Sequence, residues 1–488
     1  MPVGLYVLHA ILSKADLLEC AGFCPIPNLF MQDKKDSMTS DERHASFGLA
    51  GIYGLRMLGL FIVLPVFALY AEHLSGGDNK ILVGIALGAY GLTQAILQIP
   101  AGWMSDRYGR KPVIYVSLLL FALGSFIAAG AHDIYWVIIG RVIQGAGALN
   151  AAVMALAADL TREEHRTKAM AIIGITIGIT FSISLVLSPV LDQAIGVPGI
   201  FALTGVLALL AMLVVAYLIP DPAITRFHSE SEASTRKLGE VLRNKDLLRL
   251  DFGIFTLHAI LMSVFMQVPF ILRNNGLAGA QHWHVYLPVI LLAFLLMIPP
   301  VIVADKKAKM KLVFTGSIAL AALGQLLLLL LQHSVWGVAL ALTLFFTAFN
   351  VLEASLPSLM SKTAPLAAKG TAMGVFSSVQ FLGAFCGASI GGLLMQYVSG
   401  NAVFVFAIVL LLLWLWAAST MEVPAAVRTR MYRLPQLDEY GSSMLQQQLA
   451  QVQGVREVMV AAMEGMACLK VDMQGFDEAA VEQLLKGA

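Results

Sequence analysis

One feature recurs along this chain from Ser46 onward: apolar runs of about 20 residues or more, each long enough as a helix to cross ~30 Å of hydrocarbon. Only 13% of the 488 residues are charged and 58% are hydrophobic, whereas an ordinary soluble domain has about 25% charged residues. Because a bilayer core offers the backbone no water, such runs must be helices. The prediction is an all-α membrane protein with twelve transmembrane helices, at residues 46–71, 80–104, 112–131, 134–159, 167–191, 199–219, 249–273, 284–304, 312–331, 335–361, 370–395 and 402–420.

The polar segment between spans two and three, residues 102–111, is too short to cross a membrane and must turn back on the side that it reaches. It contains three basic residues and two glycines, which favour a sharp reversal. Short loops rich in Lys and Arg stay in the cytoplasm. Further basic clusters fall in loops on the same side, and the opposite loops hold little beyond Lys80 and Arg273. The asymmetry predicts that both termini are cytoplasmic.

Two motifs resemble those of the major facilitator superfamily. Residues 102–111 match the pattern G-x-x-x-D-R-x-G-R-K of the loop between its second and third helices, and residues 141–147 resemble its span-four motif R-x-x-Q-G-x-G. The resemblance implies two six-helix halves, a cavity lined by spans one, four, seven and ten, and a drug:proton antiporter-like protein of a bacterial inner membrane. It also implies that Arg141 affects proton coupling, while Gln144, Gly145 and Gly147 pack against span one.

An internal repeat supports the two halves. Met170 and Met373 each follow an alanine at the start of spans five and eleven, an offset of 203, and Pro65 and Pro269 differ by 204. Nearly equal offsets in separate helices are typical of a duplicated six-helix unit. The predicted units are an N-terminal extension, a first bundle, a central cytoplasmic loop, a second bundle, a linker and a C-terminal module, at residues 1–45, 46–219, 220–248, 249–420, 421–433 and 434–488.

Two segments outside the bundles leave questions open. Met38 can serve as a second start codon, so we expect residues 1–37 to be dispensable or untranslated. In the central loop, Leu238, Val241 and Leu242 share a helical face with charges around them. This pattern fits either a short helix on the membrane surface or a flexible linker.

Charged side chains inside a membrane are costly, so each calls for a partner or a function. Four such residues stand in the spans that would line the cavity: Arg56, Arg141, His258 and Glu353. Histidine changes charge near physiological pH, and a desolvated carboxylic acid takes up protons in the same range. We predict that His258 and Glu353 exchange protons with the cytoplasm while Arg56 tunes them. The alternative is a static buried pair.

The charged loop also has a mechanical interpretation as a conformational latch. Asp106 can approach the amino end of span eleven, where unpaired N–H groups favour an anion, and Asp159 can pair with Arg107 or Arg110. Such contacts would hold the cytoplasmic side closed and part when it opens. The predicted latch residues are Gly102, Asp106, Arg107, Gly109, Arg110 and Asp159.

Small residues let helices approach closely in lipid. Rows of glycines line spans two, five and eleven, and by the resemblance spans two and eleven meet between the halves, so the rows predict either static packing or a sliding interface. These rows are Gly84, Gly88 and Gly91, then Gly174 and Gly178, then Gly383, Gly387 and Gly391. In span five Ser188 precedes Pro189 where antiporters of the superfamily usually have a Gly-Pro pair, which weakens an export assignment.

The C-terminal module is predicted as a small α+β domain. A strand near Leu434, a helix at 444–452, strands at 455–461 and 467–472 and a helix at 477–486 give the order βαββα, which resembles a ferredoxin-like fold. Metal chaperones with this topology carry C-x-x-C in the first loop, where this chain has no cysteine. Cys20 and Cys24 have no second ligand pair. We therefore expect no metal and no cofactor.

These observations predict a secondary transporter of the superfamily, coupled to protons and exporting a small, drug-like solute by alternating access. Expected partners are the solute, protons, the lipid bilayer and a cytoplasmic protein or ligand at the C-terminal module. A net charge of +1 gives no sign of nucleic acid, and no catalytic constellation indicates an enzyme. The alternative is a non-transporting membrane sensor whose cavity binds and whose module signals.

Overall fold

The computed structural model describes residues 38–161, 163–220, 235–306, 309–421, 427–434, 439–461, 466–472 and 475–487. Over these residues, eleven helices are long and apolar enough to cross a membrane. The helices of the membrane core are α1 Ser40–Phe61, α2 Leu64–Tyr70, α3 Lys80–Tyr108, α4 Arg110–Ala129, α5 Ile134–Ala146, α6 Asn150–Asp159, α7 Glu163–Tyr217, α8 Thr235–Arg243, α9 Lys245–Asn274, α10 Trp283–Lys306, α11 Met310–Leu331, α12 Val335–Thr363, α13 Lys369–Tyr397 and α14 Gly400–Ser419.

Helix α7 explains why eleven candidate spans are found where the sequence predicts twelve. It runs for 55 residues, about 80 Å at 1.5 Å per residue, which is more than twice the ~30 Å thickness of a hydrocarbon core. Gly196 interrupts it with φ 67° and ψ 169°, a backbone conformation that favours glycine, so two helices join there. The predicted spans five and six are thus one continuous stretch with a break.

Side-chain caps fix where two helices begin. Thr39 and Glu42 form a capping box at the start of α1, so the last residues of the predicted extension 1–45 are helical; the expectation for residues 1–37 lies outside the described residues. Asn244 accepts hydrogen bonds from the N–H groups of Asp246 and Leu247. Helix α9 therefore starts four residues earlier than predicted, inside the segment assigned to the central loop.

The central loop contains the short helix α8. Its Val241 is buried and Leu238 is packed against the apolar core, whereas Leu242 is exposed. Helix α8 contacts α9, α13 and the 3₁₀ turn Leu366–Ala368. The described part of this segment is therefore a short helix that packs on the second bundle, rather than a flexible linker.

The membrane helices pack as two groups that meet along one pair. Helix α1 packs against α7 and α4 against α5 in the first group, whereas α11 packs against α12 and α9 against α13 in the second. Helix α3 of the first group packs along α13 of the second. This pair is the most extensive contact between the groups.

The C-terminal module follows as strand β1 Val427–Arg433, helix α15 Glu439–Ala450, strands β2 Val455–Ala461 and β3 Met466–Asp472, and helix α16 Glu478–Gly487. The strands form an antiparallel sheet in the order β1-β3-β2. Strand β1 lies before Leu434, so the predicted linker 421–433 is too long. Val427, Thr429 and Met431 lie within that predicted linker and already pair with β3. Leu445, Leu449, Val458, Leu469 and Val481 form an apolar core between one face of the sheet and the helices.

Candidate functional site

Three side chains from three helices meet in the second bundle. His258 of α9 and Glu353 of α12 approach to 3.9 Å between Nε2 and Oε2. Gln380 of α13 lies between them: its Nε2 is 2.8 Å from His258 Nε2 and donates to Glu353 Oε1 at 3.3 Å. The structure therefore brings two of the predicted proton-handling residues together and adds a neutral bridge that the sequence analysis missed.

The hydrogen bonds of His258 indicate which of its ring nitrogens carries a proton. Its Nδ1 is 3.2 Å from the carbonyl oxygen of Ile254, which can only accept, so Nδ1 carries a proton. In the neutral ring Nε2 is then an acceptor, and the Gln380 amide donates to it. Glu353 Oε2 is buried without a hydrogen-bond partner among the described residues, although one third of the Glu353 side chain is exposed. The carboxyl group thus has one buried oxygen that no described group satisfies.

Arg56 does not join this cluster. Its guanidinium donates to the side chain of Asn150, to Gln94 Oε1 at 2.6 Å and to the carbonyl oxygen of Gly147 at 3.0 Å. It also lies 5.7 Å from the ring centroid of Tyr90, and Arg56 is 3% exposed. Among the described residues these partners are all neutral, so the buried positive charge is stabilised by dipoles and an aromatic face rather than by an acid. None of the described contacts joins Arg56 to His258 or Glu353, the pair that it was predicted to tune.

The two networks occupy matching places in the two halves. Asn150 and Glu353 are 203 residues apart, and Arg56 and His258 are 202 apart, which is within one residue of the sequence repeat. Each half thus pairs a basic side chain on one helix with a polar or acidic one on the next helix that lines the core. The first pair has a fixed charge and the second can titrate.

Arg141 is almost fully buried and also lies over the ring of Tyr90, 5.2 Å from its centroid. It donates to Gln144 Oε1 at 3.2 Å and to the carbonyl oxygen of Leu87 at 3.1 Å. A Cβ on Gly145 would collide with α3 at Tyr90, and one on Gly147 with α4 at Ser117. The motif therefore packs against α3 and α4. Its expected packing against span one is limited to the Arg56 hydrogen bond.

In the charged loop Arg110 is the central residue. It donates to Asp106 and, through Nε at 3.0 Å, to Asp159, and its side chain is 3% exposed. The loop reverses at Gly109, whose φ of 93° is unfavourable for other residues. Arg107 is exposed and stacks over Trp103 and Tyr108. Of the predicted latch contacts, the structure shows the pair of Arg110 with Asp159, which lies within the first bundle, and Asp106 bonds to Arg110.

The predicted glycine rows face different neighbours from those expected. Gly84, Gly88 and Gly91 of α3 do approach the backbone of α13. The row of α13, however, packs against α9 in its own half: Gly383 against Phe255 and Gly387 against Ala259. The two rows on α3 and α13 therefore do not face one another.

Gly174 and Gly178 of α7 were predicted to mediate packing. Among the described residues, a Cβ at either position would meet no atom within 4 Å, so the structure shows no helix contact at these glycines. A Cβ built at Gly102 would lie 3.4 Å from the Cβ of Ala151, which is an ordinary van der Waals contact. Spacing alone does not distinguish a packed glycine face from an open one.

The bundles are joined at the end opposite the Asp106 loop. Helix α3 ends near that loop, and at its other end Lys80 lies 3.3 Å from Glu72, which also accepts from Arg273 of α9 at 2.6 Å. Deeper in the core, the rings of Phe181 in α7 and Phe349 in α12 stack with centroids 5.7 Å apart. An ion pair thus links the two halves at this end, and an aromatic contact links them in the core.

Asp251 of α9 is a further buried group that the sequence analysis missed. It is 4% exposed, and neither carboxyl oxygen has a hydrogen-bond partner among the described residues. It precedes His258 by seven residues, two helical turns on the same face. Its only signal in the sequence is a charge six residues after the start of an apolar helix. No group of three or more His, Cys, Asp or Glu in the described part could hold a metal.

Comparison with known proteins places this geometry in context. The family model described as Major Facilitator Superfamily matches residues 49–388 and 283–437. The chain is 42% identical over 458 residues to the inner membrane transport protein YajR of Escherichia coli (strain K12), covering 94% of this chain and all of that protein. It is also 31% identical over 155 residues to the class H tetracycline resistance protein of Pasteurella multocida, 30% of this chain and 38% of that protein.

A similar solved structure is a bacterial homologue of the human lysosomal transporter Spinster in an inward-facing, occupied conformation. Its TM-score is 0.65 at 12% sequence identity, covering 78% of this chain and 97% of that one. At this identity the likeness concerns the fold alone.

Proposed function

This chain belongs to the major facilitator superfamily, and we propose that it is a secondary transporter that moves a small solute by alternating access. Its family and relatives are transporters rather than enzymes, and it is a multi-pass membrane protein. In the proposed topology α7 crosses the bilayer twice with its break at Gly196, which gives twelve crossings. The basic loops support cytoplasmic termini, with the Asp106 loop and the α+β module, ferredoxin-like in its βαββα order, on that side.

The state of the bundle supports alternating access. The Glu72–Arg273 ion pair joins the halves at the end that the proposed topology assigns to the periplasm, and the Phe181–Phe349 stack joins them deeper in the core. At the cytoplasmic end the ion pairs of Arg110 with Asp106 and Asp159 lie within one half. We interpret the structure as a conformation that is closed on the periplasmic side.

The observation that carries proton coupling is the contact of His258, Gln380 and Glu353. When a proton is added to His258 Nε2, that nitrogen becomes a donor and can no longer accept from the Gln380 amide. Gln380 must then rotate its amide or withdraw, and the imidazolium faces the Glu353 oxygen that lacks a partner. Proton uptake at this cluster would therefore rearrange a contact between three helices, one of which is the α13 helix that packs on α3.

The solute and the direction of transport are inferred more indirectly. A relative that matches 30% of the chain is named for tetracycline resistance, which supports efflux of a small, drug-like solute. Ser188 before Pro189 departs from the antiporter pattern and argues the other way. The resemblance of the whole chain to an inner membrane transport protein supports a bacterial inner membrane as its location.

The test is proton flux in vesicles that contain the purified protein, measured with a pH-sensitive dye against a panel of amphipathic cations and metabolites. Glu353→Gln and His258→Ala should abolish solute-driven proton movement, because each removes a titratable group of the cluster. Ser355→Ala is the matched control, since Ser355 is buried on the same helix but bonds only to Val351 of its own backbone. Full coupling in both cluster variants would end the proposal. Ligand binding without any flux would favour a membrane sensor instead.

A further inference from the structure

The sheet of the C-terminal module has two different faces. Val458, Leu469 and Val471 point to the apolar core beneath α15 and α16. Side chains alternate along a strand, so Glu457 and Lys470 point to the opposite face, where they are paired across β2 and β3. Their charged groups are 3.6 Å apart, yet Lys470 is only 8% exposed. Something other than the module's own helices covers this face.

The covering element is the turn between α12 and α13. Lys470 Nζ donates to the carbonyl oxygen of Ala364 at 3.0 Å, and Glu457 Oε1 accepts from the N–H of Leu366 at 2.8 Å. Each partner is a backbone group at a helix end that has no place in a helical ladder. The module thus binds residues 364–368 through one main-chain acceptor, the carbonyl oxygen of Ala364, and one main-chain donor, the N–H of Leu366.

This turn is placed to influence the contact between the bundles. The turn leads directly into α13. Gly383 and Gly387 of α13 pack against α9, and α3 also packs on α13. Helix α8 of the central loop touches the same turn and α13. At the end of the second bundle, Lys311 Nζ of α11 donates to the carbonyl oxygen of Met421, two residues after α14, at 3.0 Å.

We propose that the face of the sheet opposite α15 and α16 is a docking surface for residues 364–368, and that docking through Glu457 and Lys470 holds α13 with the second bundle and so restrains its movement along α3. The docking itself rests on the Lys470–Ala364 and Glu457–Leu366 hydrogen bonds, whereas the restraint on movement rests on the proposed alternating access. The occupant of this face is a segment of the same chain. A cytoplasmic ligand that competes for Glu457 and Lys470 would release α13.

Hydrogen exchange of the full-length protein in lipid nanodiscs tests the docking without any substrate. The Leu366 amide donates to Glu457, so Glu457→Ala should speed exchange of residues 364–368 by about tenfold or more, the range expected for a hydrogen bond to a charged group. Lys470→Met should do the same by loosening the turn at Ala364. Glu457→Gln keeps an acceptor oxygen and should recover most of the protection.

Arg456→Ala is the matched control, because Arg456 neighbours Glu457 but pairs with Asp472, and its side chain is 60% exposed. Exchange of Val458 and Leu469 reports whether the module remains folded. Unchanged exchange at 364–368 in both Glu457→Ala and Lys470→Met, with the module intact, would overturn the docking.

Spin-label distances between the cytoplasmic ends of α3 and α13 test the restraint. In Glu457→Ala the distance distribution should broaden and shift relative to wild type and Arg456→Ala. Faster exchange with an unchanged distribution would refute the restraint and leave docking intact. Absence of transport by the wild-type protein would refute the proposed function while the exchange result still stands.

Discussion

Gly383→Ala tests the packing of α13 against α9 by adding one methyl group. A Cβ built at Gly383 would lie 2.8 Å from Phe255 Cα and 2.9 Å from its carbonyl carbon, about 0.7 Å short of the ~3.5 Å at which carbon atoms pack. The obstructing atoms are backbone atoms of α9, so no side-chain rotation relieves the contact. The two helices must separate or one must shift along the other.

The expected cost follows from two opposing effects. Overpacking a close contact costs about 1–3 kcal/mol, and replacing a helical glycine by alanine recovers up to ~1 kcal/mol of helix propensity. Gly374→Ala on the same helix is the matched control, since nothing lies within 4 Å of its Cβ position and only the propensity gain applies. Gly383→Ala should therefore be about 1–3 kcal/mol less stable than Gly374→Ala.

Thermal unfolding of the purified variants in one detergent, followed by intrinsic fluorescence, measures this difference. The melting temperature of Gly383→Ala should fall below wild type, and that of Gly374→Ala should equal or exceed it. If the two variants melt together, α13 does not press on α9 at Gly383, and the assignment of this glycine row to the α9 contact is wrong.

Three further changes test other contacts. Arg110→Gln removes the bond from Arg110 to the fully buried Asp159 and should cost about 3–5 kcal/mol in thermal unfolding, whereas the exposed Arg107→Gln should be nearly neutral. Asp251→Asn removes a buried carboxylate whose oxygens lack hydrogen bonds and should raise stability by about 1–3 kcal/mol at neutral pH; a loss of stability would show a stabilising partner for its charge. Arg273→Gln breaks the partly exposed ion pair with Glu72. Spin-label distances should then show that the fraction of molecules in which α2 and α9 are separated is about two- to fivefold larger than in wild type, and an unchanged fraction would contradict closure by this ion pair.

Hydrophobic runs, turn glycines and charged loops could be predicted from the sequence because each is a local property. The βαββα order of the module could also be predicted, since alternation and helical periodicity are read within a few residues. The break at Gly196 falls between the predicted spans five and six, at 167–191 and 199–219. Errors arose at ends of elements, where a cap such as Asn244 decides the first helical residue.

Partnership between distant residues could not be predicted in the same way. Gln380 is one neutral residue in an apolar helix, and its role depends on His258, 122 residues away in the chain. Gly174 and Gly383 stand in similar rows, yet one faces open space and the other a helix backbone. The difference depends on which side of a helix is covered, a property of the tertiary structure that spacing does not encode.

The unequal chemistry of the two halves gives the proposed mechanism its direction. In the first half Arg56 is held by neutral groups, Asn150, Gln94 and the carbonyl oxygen of Gly147, with no histidine or carboxylate among these partners. In the second half the matching pair is His258 and Glu353, both of which can gain or lose a proton. A duplicated fold with two fixed pairs would have no element that senses protons, and one with two titratable pairs would bind them in both halves. With one fixed pair and one titratable pair, the proposed proton-dependent change falls on α9, α12 and α13. Helix α13 packs on α3, and the turn that leads into it is bound by the C-terminal module.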